Sequence, residues 1–174
     1  MALTDLIAEG VLYVLPAYAA NGAPVVVVKM LGRSHPLDLG KTWGGRRILG
    51  DGKTFEGLLS GLLIGLAVSA ALGLLGLWPY RVFEEALLVV LGALVGDVAG
   101  SFVKRRLGLP RGSSAPVMDQ LGFVMFALIF ASLPRGPPRW ALLEPLAAVL
   151  TITAALHLGT NALAYLLRLK DRWY

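Results

Sequence analysis

Two carboxylates set among apolar residues are the first groups in this chain that could do chemistry. Asp97 lies in Gly96-Asp97-Val98-Ala99-Gly100-Ser101-Phe102-Val103-Lys104-Arg105-Arg106. It shares a helical stripe with Ser101 and with Lys104 or Arg105, because residues three and four apart are neighbours on a helix. Asp119 follows in Val117-Met118-Asp119-Gln120, where the next apolar block starts. A carboxylate in a membrane helix is costly and faces a polar cavity or a partner. One reading is an ion pair between Asp97 and an arginine that only locks two helices. The other is a carboxylate that holds a metal while nearby cations hold phosphates. Mg²⁺ is commonly held by one or two carboxylates, with substrate phosphates and water completing its shell. The two blocks form a helical hairpin, so Asp97 and Asp119 are expected at similar depth, facing each other across its mouth. Between them Lys104, Arg105, Arg106 and Arg111 suit a triphosphate. Alone, those cations would equally suit simple anchoring or attraction to anionic lipid.

A second informative stretch is Gly44-Gly45-Arg46-Arg47-Ile48-Leu49-Gly50-Asp51-Gly52-Lys53-Thr54. Glycines permit close backbone approach and positive φ. Lys53 and Thr54 open the following helix, whose N-terminus is a ready anion site. Gly52-Lys53-Thr54 is not a P-loop: Arg47 stands where the first glycine is required, and no strand precedes it. Asn21, a polar residue in the first apolar block beside Pro24, either lines a cavity or bonds between helices. His157, Thr160 and Asn161 share a face and suit packing better than ligation. No histidine cluster has zinc spacing, and no serine has His and Asp partners for an acyl-enzyme.

The elements that must position these groups are apolar blocks. Of 174 residues, 56% are hydrophobic and only 16% charged, and the mean hydropathy is +0.70. Soluble domains average about 45–50% apolar and 25% charged. Five blocks approach or exceed the roughly 20 residues that cross a bilayer as a helix. The fold class is therefore all-α, a polytopic membrane protein with about five transmembrane helices and two loops forming the polar site. The helices are expected at 6–30, 55–78, 82–102, 115–133 and 140–169, with loops at 31–54 and 103–114, in a single transmembrane catalytic domain spanning 1–174. Pro24 is expected to break the first helix, and the fifth is long enough to tilt or project. Gly61 with Gly65, and Gly92 with Gly96, form G-x-x-x-G pairs suited to close helix packing. A soluble enzyme, a disordered tail and a disulfide-stapled domain are excluded, the last because there is no Cys.

Charge sets the orientation. Thirteen of the sixteen Lys and Arg fall in the 31–54 loop with Lys29, in the 103–114 loop, or in the tail. That excess places both loops and the C-terminus in the cytoplasm and the N-terminus outside, as five spans require. The net charge of +5 is thus an orientation signal, and no nucleic acid is expected as a partner. Ala17-Tyr18-Ala19 has the form of a signal-peptidase site, but Asp5 and Glu9 stand where a signal peptide would be basic. Retention as a first membrane helix is expected. The blocks carry no internal repeat, which argues against an inverted-repeat transporter.

Gly96-Asp97, then Ser101-Phe102-Val103-Lys104-Arg105, then Asp119-Gln120 resembles the signature of CTP-dependent phosphatidate cytidylyltransferases, the CDP-diacylglycerol synthases. The similarity is closer to their short archaeal branch, the CDP-archaeol synthases. It extends to Leu15-Pro16-Ala17-Tyr18-Ala19-Ala20-Asn21, Leu49-Gly50-Asp51-Gly52-Lys53-Thr54, Lys104-Arg105-Arg106-Leu107-Gly108-Leu109 and Ala115-Pro116. Many relatives carry a second acidic residue three positions after the one matching Asp119. Here that position is Gly122, which argues against a second metal held by such a pair. The acidic residue of the bacterial Lys-Asp step is likewise absent near Pro110-Arg111.

The resemblance implies transfer of CMP from CTP, with Mg²⁺, to a membrane-embedded isoprenoid ether lipid phosphate such as 2,3-bis-O-geranylgeranylglycerol 1-phosphate, releasing pyrophosphate. On that reading Asp97 and Asp119 hold the metal, and Lys104 acts with them in catalysis. Asn21, Asp51, Lys53, Thr54, Ser101, Arg105, Arg106 and Arg111 bind substrate. The rival readings are a small ion or solute transporter with Asp97 in its pathway, a membrane glycerol-phosphate acyltransferase, and a purely structural subunit. Oligomeric state is not legible.

Overall fold

A computed structural model describes residues 1–113, 115 and 117–169. Pro116 of the motif and Lys170, Asp171 and Arg172 of the basic tail lie outside the described residues. Five helices carry the chain: α1 (Leu3–Leu31), α2 (Phe55–Leu74), α3 (Phe83–Arg106), α4 (Met118–Ala131) and α5 (Leu143–Leu166). Four are long and apolar enough to cross a membrane, and α4 is a shorter apolar helix. The one sheet among the described residues is a two-stranded hairpin, β1 (Thr42–Trp43) and β2 (Arg46–Arg47), paired antiparallel.

The G-x-x-x-G pairs set how closely the helices approach. A Cβ on Gly92 would lie 2.5 Å from the Phe126 carbonyl oxygen, and one on Gly96 would lie 2.9 Å from that of Gly122. The backbones of α3 and α4 therefore touch. Gly61 does the same against the Ala20 carbonyl of α1, at 2.6 Å. Close approach of this kind is what drives helix association in lipid, where apolar side chains gain little from burial. The core between them is Tyr13, Val14 and Ala17 of α1, Val89, Val90 and Ala93 of α3, Val124 and Ala127 of α4, and Trp140.

Several boundaries differ from those expected. α1 is continuous, with Pro16 and Pro24 inside it; bilayer helices tolerate proline when neighbouring helices re-satisfy the freed backbone groups. α2 stops at Leu74, not at residue 78, because Gly76 (φ 71°) turns the chain and Leu77 N–H donates back to the Leu72 carbonyl at 2.8 Å. α3 continues through Arg106, so Lys104, Arg105 and Arg106 are helical rather than in a loop. Basic residues in a last turn complement the helix dipole. Gly108 (φ 77°) closes it, with Leu109 N–H donating to the Lys104 carbonyl at 3.0 Å.

The bundle has two unlike ends. One carries the loop over residues 32–54, the end of α3 and the start of α4. The other carries the short turns over residues 75–82 and 132–142.

Candidate active site

The loop over residues 32–54 is folded around one carboxylate. Asp38 Oδ1 accepts from Gly40 N–H (3.1 Å) and Arg47 Nη2 (2.5 Å); Oδ2 accepts from Arg47 Nε (3.1 Å), Leu49 N–H (3.0 Å) and Gly50 N–H (2.9 Å). Its side chain is 1% exposed. The forked Arg47 guanidinium, helped by those backbone N–H groups, holds the Asp38 carboxyl well below the usual carboxylate range despite its burial. The Gly44-Gly45 turn, with both residues at positive φ, allows the hairpin that brings Arg47 back over Asp38.

This loop docks on the end of α3. Arg106 donates to the carbonyls of Trp43 (2.5 Å) and Arg47 (2.6 Å), and its guanidinium lies over the Trp43 and Phe102 rings. Arg46 donates in return to the Arg106 carbonyl at 2.9 Å. Arg106 is thus occupied with backbone carbonyls, a clip between hairpin and helix.

Between loop and helix lies a cationic basin of about 300 Å³, walled by Arg46, Arg47, Arg105 and Arg111, with Asp51, Gly50 and the Gly108–Pro110 turn completing it. Behind it is a narrow slot of about 30 Å³. Lys53, Thr54 and Asp97 line it with Pro24, Leu58 and Leu94. The Gly50–Thr54 segment is the wall between them: Gly50 and Asp51 face the basin, and Gly52, Lys53 and Thr54 face the slot. In the slot Lys53 Nζ donates to Asp97 Oδ2 at 2.5 Å. Thr54 is buried and caps α2, its Oγ accepting from Gly57 N–H at 3.1 Å.

Asp119 is placed differently. It accepts from Lys104 Nζ (2.7 Å) and from Ala115 N–H (2.9 Å). Gly96 packs level with Gly122 and Phe123, and Gly100 level with Met118, which offsets Asp119 from Asp97 by roughly one helical turn. Both carboxylates sit at the same end of the bundle, but each is turned to its own lysine rather than to the other. The side chains are 31% exposed for Asp97 and 27% for Asp119. Asn21 and Ser101 are half-buried on α1 and α3 and line neither cavity.

Of the residues singled out from sequence, the structure brings Asp51, Arg105 and Arg111 together in the basin, and Lys53, Thr54 and Asp97 together in the slot. Arg46 and Arg47 were not expected as basin residues, nor Asp38 as the centre of the loop. The Gly-Gly step between Thr42-Trp43 and Arg46-Arg47 is a hairpin signal that could have located them.

The donor set suits a hard divalent cation only in part. No group of three or more His, Cys, Asp or Glu side chains among the described residues could form a cage. Two partly exposed carboxylates, each now balanced by an ammonium, fit an ion that arrives with phosphate oxygens.

Helices that span a bilayer, with a polyphosphate-sized cationic basin between a loop and a helix end, define a multi-pass membrane protein with a candidate anion site at one end. A family model described as CarS-like, CDP-archaeol synthase, matches residues 3–174. The CDP-archaeol synthase of Pyrococcus furiosus is 44% identical over 171 residues, covering 95% of this chain and 96% of its own length. That of Methanococcus aeolicus is 38% identical across the full length of both. A solved structure of an intramembrane enzyme for archaeal membrane lipids biosynthesis superposes with a TM-score of 0.71 at 40% identity, covering 89% of this chain and 94% of the other. The chain belongs to the CDP-archaeol synthase family.

Proposed function

We propose that this chain is a membrane cytidylyltransferase that moves CMP from CTP to an isoprenoid ether glycerol phosphate, acting as a single transmembrane catalytic domain. The observation that carries the reading is the Gly50–Thr54 wall, one segment lining both a polyphosphate-sized basin and a slot that ends on Asp97. Neither a transport nor an acyltransfer reading has an observation in its favour.

The basin arginines take the triphosphate, and Lys53 meets the lipid phosphate at the slot. An oxygen of that phosphate attacks the α-phosphorus of CTP, and the bond to the β-phosphate bridging oxygen breaks. Its electron pair leaves on pyrophosphate, where Arg105 and Arg111 neutralise the charge as it develops. An ionised phosphate needs no general base. Asp97 and Asp119 would hold Mg²⁺, whose chemistry is to neutralise and orient the phosphates. Lys53 and Lys104, now on those carboxylates, are then free to turn to phosphate oxygens. Arg106 acts by holding the hairpin that carries the basin wall, and Thr54 by capping α2 so that Lys53 points into the slot. Asn21 and Ser101 contact substrate only at the edge of the site.

The slot is flanked by Leu58, 38% exposed on the outer face of α2, so the prenyl chains leave sideways into the bilayer. The N-terminus lies outside and the loop end in the cytoplasm, where CTP is available. The test is pyrophosphate release by purified protein given CTP, Mg²⁺ and an archaeal ether lipid phosphate, beside an ester-linked phosphatidate. Formation of CDP-lipid that stops on chelation and in Asp97→Asn and Asp119→Asn supports the reading. Near-wild-type turnover in a folded Asp97→Asn removes the metal role.

A further inference from the structure

We propose that Arg47 is a ligand of the nucleotide polyphosphate, that Asp38 is the positioning residue that aims it, and that Asp51 occupies its outward nitrogen until nucleotide arrives. The inference rests on the CTP reading and deepens it.

Asp38 cannot meet a ligand itself. Five hydrogen bonds use both its oxygens, about the limit of a carboxylate's lone pairs, and its side chain is 1% exposed. Two of those bonds come from Nε and Nη2 of Arg47. A planar guanidinium gripped along that edge has no freedom left, so the direction of Nη1 is set. Arg47 lines the basin, and Nη1 there donates to Asp51 Oδ1 at 2.6 Å.

Two of the other wall arginines differ. Arg46 and Arg105 donate to the carbonyls of Arg106 and Pro110, whereas Nη1 of Arg47 already holds an anion. That anion is weakly placed: the Asp51 side chain is 57% exposed, four residues along the same loop. An exposed ion pair is easily exchanged, and a triphosphate offers more charge and more oxygens to the same donor. The carboxylate therefore marks the place a phosphate oxygen takes. Its departure also exposes Asp51 to the nucleotide's charge, so it swings outward rather than staying in the basin.

The experiment measures CTP binding to the full-length protein in nanodiscs without lipid acceptor, and KM for each substrate in the complete assay. Arg47→Met is expected to weaken CTP binding about ten-fold or more while KM for the lipid phosphate stays near wild type. Asp38→Asn weakens CTP binding in the same way, but adds nothing when Arg47 is already Met. Asp51→Asn binds metal-free CTP several-fold more tightly than wild type, an effect that mere loss of loop structure would not produce. Wild-type CTP affinity in Arg47→Met, or weaker metal-free binding in Asp51→Asn, overturns the proposal. Should Asp38→Asn not fold, those two variants decide the matter. Wild-type protein that makes CDP-lipid while Arg47→Met binds CTP normally sinks this inference alone; no CTP-dependent product at all sinks the reading beneath it.

Discussion

Apart from Asp38, which organises its own loop, the acidic residues compared at the two ends of the bundle serve opposite purposes. At the turn end Glu85 is 0% exposed. Its oxygens accept from Arg81 Nε (2.7 Å), Arg81 N–H (3.0 Å) and the Tyr13 hydroxyl (3.2 Å). Arg81 in turn donates to the carbonyls of Arg135, Gly136 and Pro137, and Tyr80 donates to the Tyr13 carbonyl. One charge pair thus ties α1, α3 and both turns together, and no ligand could enter without breaking several bonds at once. At the loop end Asp97, Asp119 and Asp51 are each partly open, and each holds a single side-chain cation. A buried, fully bonded carboxylate is costly to disturb, whereas an open pair exchanges its partner readily. Burial and partner number, rather than residue type, separate the charges that hold this fold from those free to meet a substrate.

The contrast can be broken experimentally. Glu85→Ala removes the buried acceptor shared by Arg81 and the Tyr13 hydroxyl and should cost about 1–3 kcal/mol of stability, seen as a lower unfolding temperature in detergent, with turnover of the folded fraction kept. Asp97→Asn should do the reverse: an unchanged unfolding temperature with turnover reduced roughly 10²–10³-fold. If both variants moved the same observable, the two ends would not be functionally distinct. Gly92→Ala sharpens the point from the packing side. Its methyl would press on the Phe126 carbonyl of α4, and over-packing costs about 1–3 kcal/mol, so stability and the alignment of Asp119 beside Lys104 should fail together.

A smaller effect is expected with pH. Asp38 titrates below its ordinary range because Arg47 and three backbone N–H groups favour its charged form. A carboxyl so depressed contributes stability above its unfolded pKa of about 3.9, and that contribution fades as pH falls below it. The unfolding temperature of the wild type should therefore drop more steeply between pH 5 and pH 3 than that of Asp38→Asn. Equal slopes would show that the loop does not depend on that charge. A single cysteine at Ser113, possible because the chain has none of its own, should react with an impermeant reagent only from the cytoplasmic side. External labelling would invert the assignment of the two ends.

Much of this is legible in the sequence. Five apolar blocks cannot be hidden in a soluble core, so bilayer helices followed from composition, and the paired glycines pointed to packing that the structure realises between α1 and α2 and between α3 and α4. The stretch around Asp97, the Gly-rich loop and Asp119 carried the family resemblance in their order and spacing. Periodicity also put Asp97 and Lys104 on one stripe, yet it could not choose their partners. Asp97 took Lys53, which is 44 residues away, and Asp119 took Lys104. Arg106 went to hairpin carbonyls, while Arg46 and Arg47 became basin walls. These choices depend on where the loop folds back across the end of α3, and that is decided by Asp38 gathering Arg47 and three amides around itself. Local spacing records which side chains share a helix face. It does not record which distant charge will satisfy each of them, because that pairing exists only once the chain has closed.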